Sequence, residues 1–221
     1  MDQFTKIARH HRSPRRRPGP KSDLGLFFSE SVQSFGVTAS LFPSSRHLAS
    51  ALLRFVDFGR AVRIVELGAG TGPVTSEILR RMRPDASLYA IDVNPVFVTH
   101  VRKKLIDRRL VPIVGKAEDL GEIIRDVGAR SADAIVSCLG LSTMEDDQRR
   151  KIISQAARHL DPAGILSQFQ YLHASGEPNW FSNVGLRRFS EERFLRQYFA
   201  KVTSECVIWN LPPAKVFTCR H

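Results

Sequence analysis

Val65-Glu66-Leu67-Gly68-Ala69-Gly70-Thr71-Gly72-Pro73 decides the fold. Its first residues belong to the apolar run Arg63–Leu67, a buried-strand pattern. Its last opens Pro73–Met82, a helical pattern with proline in the first turn. A glycine-rich turn between strand and helix lets backbone approach a ligand closely. A dinucleotide-binding turn would place its third glycine at position 73. Here that residue is Pro73, and the spacing is Gly-x-Gly-x-Gly. Glu66, just ahead of the turn, would repel a pyrophosphate and attract a cation.

Outward from this turn the chain alternates between strand and helix patterns. Strands are predicted at Leu88–Asp92, Val111–Val114, Ala132–Cys138 and Gly164–Tyr171, with two more near Val202–Trp209 and Lys215–Cys219. Helices are predicted at Pro95–Ile106, Leu120–Val127, Asp146–Leu160 and Ser190–Phe199. With 221 residues there is room for one sizeable α/β domain. The expectation is a Rossmann-like fold, a seven-stranded mostly parallel sheet flanked by helices, with an N-terminal helical extension. Residues 1–22 read as a flexible basic arm and 23–58 as N-terminal helices, one over Leu24–Phe35 and one from Ser44 or Ser45 through Phe55. Residues 59–221 read as the α/β domain itself.

The composition, 43% hydrophobic and 25% charged, is that of a globular protein. The net charge of +11 favours a polyanionic partner, either nucleic acid or an anionic membrane. Lys6, Arg9, Arg12, Arg15, Arg16, Arg17 and Lys21 against Asp2 place +6 of it in the first 21 residues. Cys138, Cys206 and Cys219 show no paired spacing, so a disulfide framework or metal site is not expected, and a reducing compartment is. No apolar run approaches the ~20 residues that cross a bilayer.

Asp92, ending the second strand, lies roughly 20 residues beyond the turn, where a carboxylate accepts ribose hydroxyls. With Glu66 to receive a cationic amino-acid end, the pattern predicts a site for S-adenosylmethionine, leaving S-adenosylhomocysteine as product. Gly68, Ala69, Gly70 and Gly72 would supply the backbone cradle. In class I methyltransferases, which this arrangement resembles, the loop after the third strand holds adenine. Ala117 and Glu118 are the candidates here, with Lys116 where such loops often carry aspartate. Glu118 and Asp119 also suit a helix start.

The loop after the fourth strand, Ser137–Thr143, would face the acceptor. It lacks the Asn/Asp-Pro-Pro-Tyr run that holds and stacks a flipped base. Cys138 lacks the Pro-Cys pairing of cytosine-modifying nucleophiles and reads as core. Three segments together resemble the bacterial phospholipid N-methyltransferases: Ser40-Leu41-Phe42-Pro43-Ser44-Ser45-Arg46, Glu66–Thr75, and Trp209-Asn210-Leu211-Pro212-Pro213-Ala214-Lys215-Val216. The resemblance implies stepwise methylation of phosphatidylethanolamine toward phosphatidylcholine by a cytoplasmic enzyme, peripheral on the inner membrane face. It also implies docking on anionic lipid through the N-terminal helix, here Asp23–Phe35. Phe27, Phe28 and Phe35 would enter the acyl boundary. That helix carries Glu30 and no Lys or Arg, so the arm would supply the attraction.

An ethanolamine ammonium must lose its proton before attack, and Tyr171 and His173 are the candidates near the acceptor end. Arg46, on the Pro-Ser-Ser-Arg segment with Ser44 and Ser45, and Lys215 are candidates for the lipid phosphate. Surface ion pairing is the plainer reading of both. No specific nucleic acid is expected. Two alternatives stay open: an RNA or rRNA N-methyltransferase using the basic arm, and a non-catalytic membrane- or nucleic-acid-binding protein on the same fold.

Overall fold

A computed structural model of the chain describes residues 44–172, 190–210 and 212–221. The basic arm, the Phe-rich helix with Phe27 and Phe28, and His173 lie outside the described residues. The first described element is α1 (Ser44–Leu52), and the sheet begins with β1 (Arg63–Leu67). There follow α2 (Pro73–Arg81), β2 (Ser87–Asp92), α3 (Pro95–Lys104), β3 (Leu110–Val114), a 3-10 turn (Ala117–Asp119), α4 (Leu120–Asp126) and β4 (Ala132–Ser137). A second 3-10 turn (Leu141–Thr143) precedes α5 (Asp146–His159), β5 (Leu160–Tyr171), α6 (Glu191–Leu195), β6 (Lys201–Val207) and β7 (Ala214–Arg220).

These strands form one seven-stranded sheet in the order β3-β2-β1-β4-β5-β7-β6. The first five are parallel, and β7 runs antiparallel between β5 and β6. The expected fold is therefore present. β1 leads outward to β2 on one side and neighbours β4 on the other, so the chain diverges at their carboxyl ends. Such a switch point opens a crevice for a ligand.

Burial follows the two-sided logic of a parallel sheet, with near-continuous apolar strands. Ile64, Val65 and Leu67 of β1 and Ala134, Ile135 and Val136 of β4 are buried. One face packs on α1 and α2, where Leu48, Leu52 and Ile78 fill the space. The other packs on α4 and α5 through Leu120, Ile124, Ile152 and Ile153. Each such leucine or isoleucine removed from water contributes about 1.5–3 kcal/mol before chain entropy is charged against it.

Several boundaries differ from the sequence expectation, for example the first helix, which ends at Leu52 and not Phe55; three have a visible cause or consequence. β5 starts at Leu160, not Gly164. Asp161-Pro162-Ala163-Gly164 reads as a turn, and Asp161 Oδ1 does accept from Ala163 N at 3.0 Å. The sheet absorbs that turn as a register shift opposite Ala132 and Ala134. β6 ends at Val207, before Ile208 and Trp209, because Asn210 closes a turn: its Nδ2 donates to the Pro212 carbonyl at 2.7 Å. The helix after Ser190 stops at Leu195 and continues as isolated turns to Phe199. Among the described residues no helix is long and apolar enough to cross a membrane.

Candidate active site

The turn after β1 is held by its neighbours. Gly68 N and Ala69 N both donate to the Ile91 carbonyl, at 2.8 and 3.2 Å, which ties the turn to the end of β2. Gly68, Gly70 and Gly72 all have positive φ, and Gly72 N-caps α2. At Gly68 (φ +78°) a side chain would also meet Leu139 Cδ2 at 2.8 Å and the Cys138 backbone at 3.6 Å. The turn thus packs directly on the loop after β4. Gly70 (φ +54°) differs, because a Cβ there would meet nothing within 4 Å. Its conformation requires glycine, and its open side faces a space that no described residue fills.

Asp92, nearly buried, fixes that geometry. Its Oδ2 accepts from Gly70 N and its Oδ1 from Asn94 N, both at 2.8 Å. Asn94 in turn N-caps α3 by accepting from Val96 N at 2.9 Å. A carboxylate oxygen has lone pairs beyond the one used by a backbone N–H. Asp92 therefore organises the turn and keeps acceptor capacity for hydroxyls.

Glu66 is fully buried. The Thr75 hydroxyl donates to its Oε2 at 2.6 Å, and its Oε1 has no hydrogen-bond partner among the described residues. Burial pushes its pKa from 4.5 up to about 8; the Thr75 hydrogen bonds oppose this and the Asp92 charge adds to it. A buried acid with one orphaned oxygen, beside an open glycine cradle, fits a ligand that brings a positive charge. The residues present thus fit S-adenosylmethionine. Glu66 would face its amino-acid end, and Asp92 its ribose.

The sites expected after β3 are less concentrated. Ala117 opens the 3-10 turn and is half-buried against the α4–α5 face. Glu118 Oε1 accepts from Gln148 Nε2 at 2.7 Å, and Asp119 lies 3.7 Å from Lys151. Both carboxylates turn toward α5 and line a cleft of about 360 Å³ whose walls include none of the glycine-turn residues. Lys116 N-caps the 3-10 turn through its backbone.

The loop after β4 is braced from two sides. Cys138 N extends the sheet by donating to the Leu67 carbonyl at 2.8 Å. The Gln168 amide, fully buried on β5, donates to the Leu139 carbonyl at 2.8 Å. Burial first, then the Glu66 and Asp92 charges, raise the Cys138 pKa well above 9.0, so the thiol stays protonated. Glu191, buried beside Gln168 and Arg149, is raised by burial to about 8.

Tyr171 ends β5 and meets Phe169 edge-to-face at 5.1 Å. Burial and then Cys138 push its phenol to about 12. Lys215 sits one residue along β7, 3.9 Å from Glu192 and over the Phe217 ring at 5.8 Å, so it is engaged in an ion pair. Arg46 is exposed on α1, a helix that packs against β7, the strand carrying Lys215. Thr75 and Gln168 were not singled out by the sequence reading. Thr75 could have been found from its place in the first turn of α2, one turn beyond the glycines. Gln168 carried no signal.

Strand order and site define an α/β enzyme of the methyltransferase type. Residues 64–164 match the family model described as a methyltransferase domain. The chain is 31% identical over 199 residues to the ornithine lipid N-methyltransferase of Singulisphaera acidiphila, across 90% of this chain and 96% of that protein. Among solved structures it resembles Burkholderia thailandensis 1,6-didemethyltoxoflavin-N1-methyltransferase with bound S-adenosylhomocysteine. There the TM-score is 0.62 at 18% identity, covering 95% of this chain and 92% of that one. It also resembles a T. thermophilus 16S rRNA N2 G1207 methyltransferase in complex with AdoMet and guanosine, with a TM-score of 0.55 at 19% identity over 81% and 43% of the two chains. At these identities the structural likeness is one of fold. The chain belongs to the class I S-adenosylmethionine-dependent methyltransferase family, and S-adenosylmethionine is its cofactor.

Proposed function

We propose that this methyltransferase acts on the primary amine of a membrane lipid. The observation that carries the reading is the near full-length relationship to a lipid N-methyltransferase. Phosphatidylethanolamine and its mono- and dimethyl forms are the headgroups that the sequence resemblance implies. An ornithine lipid presents the same nucleophile, a primary amine on an acylated scaffold. Two features of the acceptor loop support an amine in place of a base. Ser137–Thr143 has no aromatic to stack on a flipped nucleobase. The Cys138 thiol is held protonated and is no nucleophile.

When bound, the cofactor supplies an electrophilic methyl group. The chain's part is to hold donor and amine in line and to keep water out of the crevice. The acceptor must arrive neutral. Tyr171, protonated through the physiological range, cannot be the resting base, and its role in this reading is to orient the amine through its hydroxyl oxygen. The basic arm and residues 23–35 are assigned, in this reading, to an anionic membrane surface at the cytoplasmic face. The test is transfer of radiolabelled methyl groups into vesicles of phosphatidylethanolamine, into ornithine-lipid vesicles and into RNA. Label in either lipid supports the reading and selects the headgroup. Label in RNA alone refutes it.

A further inference from the structure

Nine consecutive residues, Cys206 to Ala214, carry no charge in a chain that is one-quarter charged. They include the turn between β6 and β7, and the turn is built firmly. Asn210, itself buried, donates through Nδ2 to the Pro212 carbonyl at 2.7 Å and through its backbone N to the Val207 carbonyl at 3.4 Å. From the neighbouring strand, Leu172 N donates to the Pro213 carbonyl at 2.9 Å. On this clamped turn the two adjacent residues Ile208 and Trp209 stand out, 65% and 77% exposed. Among the described residues, neither belongs to the folded core. Exposed apolar pairs held out by a rigid turn mark a surface that meets something apolar.

The turn's place in the sheet says what that is. Ala214 pairs with Tyr171, so the turn stands at the carboxyl end of β5, on the same rim of the sheet as the loops after β1 and β4. We propose that the Ile208–Trp209 turn is an interfacial anchor, which enters the headgroup–acyl boundary of an anionic bilayer and sets the rim of the active site against it. Tryptophan suits that depth, with an apolar ring system and one N–H for the wet side. An uncharged segment enters without stripping water from an ion. The +11 charge of the chain supplies the complementary attraction to an anionic leaflet. The inference deepens the lipid-amine reading and rests on it: substrate headgroups would meet the crevice at the level where they lie in the membrane. It assigns a second contact, inside the catalytic domain and apart from the N-terminal segment.

The chain has two tryptophans, so Trp180→Phe in the full-length protein leaves Trp209 as the sole indole reporter. Its emission is recorded with vesicles of phosphatidylethanolamine and phosphatidylglycerol, with and without bromine on the acyl chains. The expected result is a blue shift on adding vesicles and quenching by the brominated lipid. In the otherwise native chain, Trp209→Ala should raise the vesicle-lipid KM roughly five- to tenfold, in line with a single interfacial aromatic. Its S-adenosylhomocysteine Kd should be unchanged, which shows that the variant is folded. An unchanged spectrum in the presence of vesicles overturns the inference. So does emission that is already blue and shielded from acrylamide in buffer, because the turn is then covered by protein. A shift produced by RNA and not by vesicles overturns it too. Labelled lipid from the wild type with a silent Trp209 would sink this inference alone. Absence of labelled lipid would sink the substrate reading itself.

Discussion

Binding of S-adenosylhomocysteine should expel a proton, because Glu66 is neutral in the free protein and must become a carboxylate to pair with the ligand's ammonium. With a pKa of about 8, roughly nine-tenths of Glu66 is protonated at pH 7. If ion pairing in the complex brings it back into the ordinary carboxylate range, about 0.9 proton leaves per ligand bound at pH 7. The same linkage makes the observed affinity rise with pH. Between pH 6 and pH 8 it should improve roughly 50-fold, then level off once Glu66 ionises without help. Calorimetry in two buffers of different ionisation enthalpy reads the proton count directly. Zero release at pH 7 would mean that Glu66 is already charged and that the burial argument fails.

The same group makes the free protein's stability depend on pH in the opposite sense. Its folded pKa lies above its unfolded value of 4.5, so the folded state holds the extra proton between pH 4.5 and about 8. Stability is then fully present below pH 4.5 and is lost as pH rises through 8. Glu66→Gln keeps the shape and removes the ionisation. At pH 8 and above, the free variant should be at least as stable as the wild type. It should bind S-adenosylhomocysteine roughly 10- to 100-fold more weakly, as expected when a charge-assisted hydrogen bond of about 1.5–3 kcal/mol is lost. A variant both less stable at pH 8 and unchanged in affinity would refute the assignment.

Three further outcomes follow from the same geometry. Asp92→Asn should weaken S-adenosylhomocysteine binding about tenfold or more, because the amide turns a donor toward either Gly70 N or Asn94 N; a Kd within twofold of wild type would show that the carboxylate is not needed. Gly68→Ala should destabilise the protein by about 1–3 kcal/mol from φ alone, lowering Tm by roughly 2–4 °C per kcal/mol. It should also lower kcat by displacing Leu139, and an unchanged Tm would contradict the close approach. Glu191→Gln should remove part of the loss of stability between pH 4.5 and about 8 that remains in Glu66→Gln, since burial raises Glu191 in the same direction; thermal melts across that window give the comparison, and parallel curves for the single and double variants would refute it.

What the sequence discloses here is local, and what it conceals is long-range. The glycine spacing, the acid before it and the acid ending β2 lie within 27 residues, all in one strand–turn–helix–strand unit, so the cofactor end of the site could be read directly. The strand count followed because apolar runs alternate with helical periods over the whole catalytic domain. Contacts across the sheet left no such trace. Gln168 reaches the Leu139 carbonyl over 29 residues of chain, and nothing in either neighbourhood announces the pair. Turn chemistry misled wherever the sheet could absorb it: Asp161-Pro162 became a bulge within β5. Where the turn residue was itself buried, as at Asn210, the chain turned and left Ile208 and Trp209 exposed. Burial is the quantity that composition and periodicity determine least, and in this protein burial sets the chemistry. Glu66 and Glu191 read in the sequence as two of its acidic residues. In the fold, removal from water leaves both neutral at physiological pH, so a ligand's charge can switch Glu66, whereas Glu191 can stay a silent brace. The functional difference between the two therefore rests on position: Glu66 lies beside an open glycine cradle, and Glu191 beside Gln168 and Arg149.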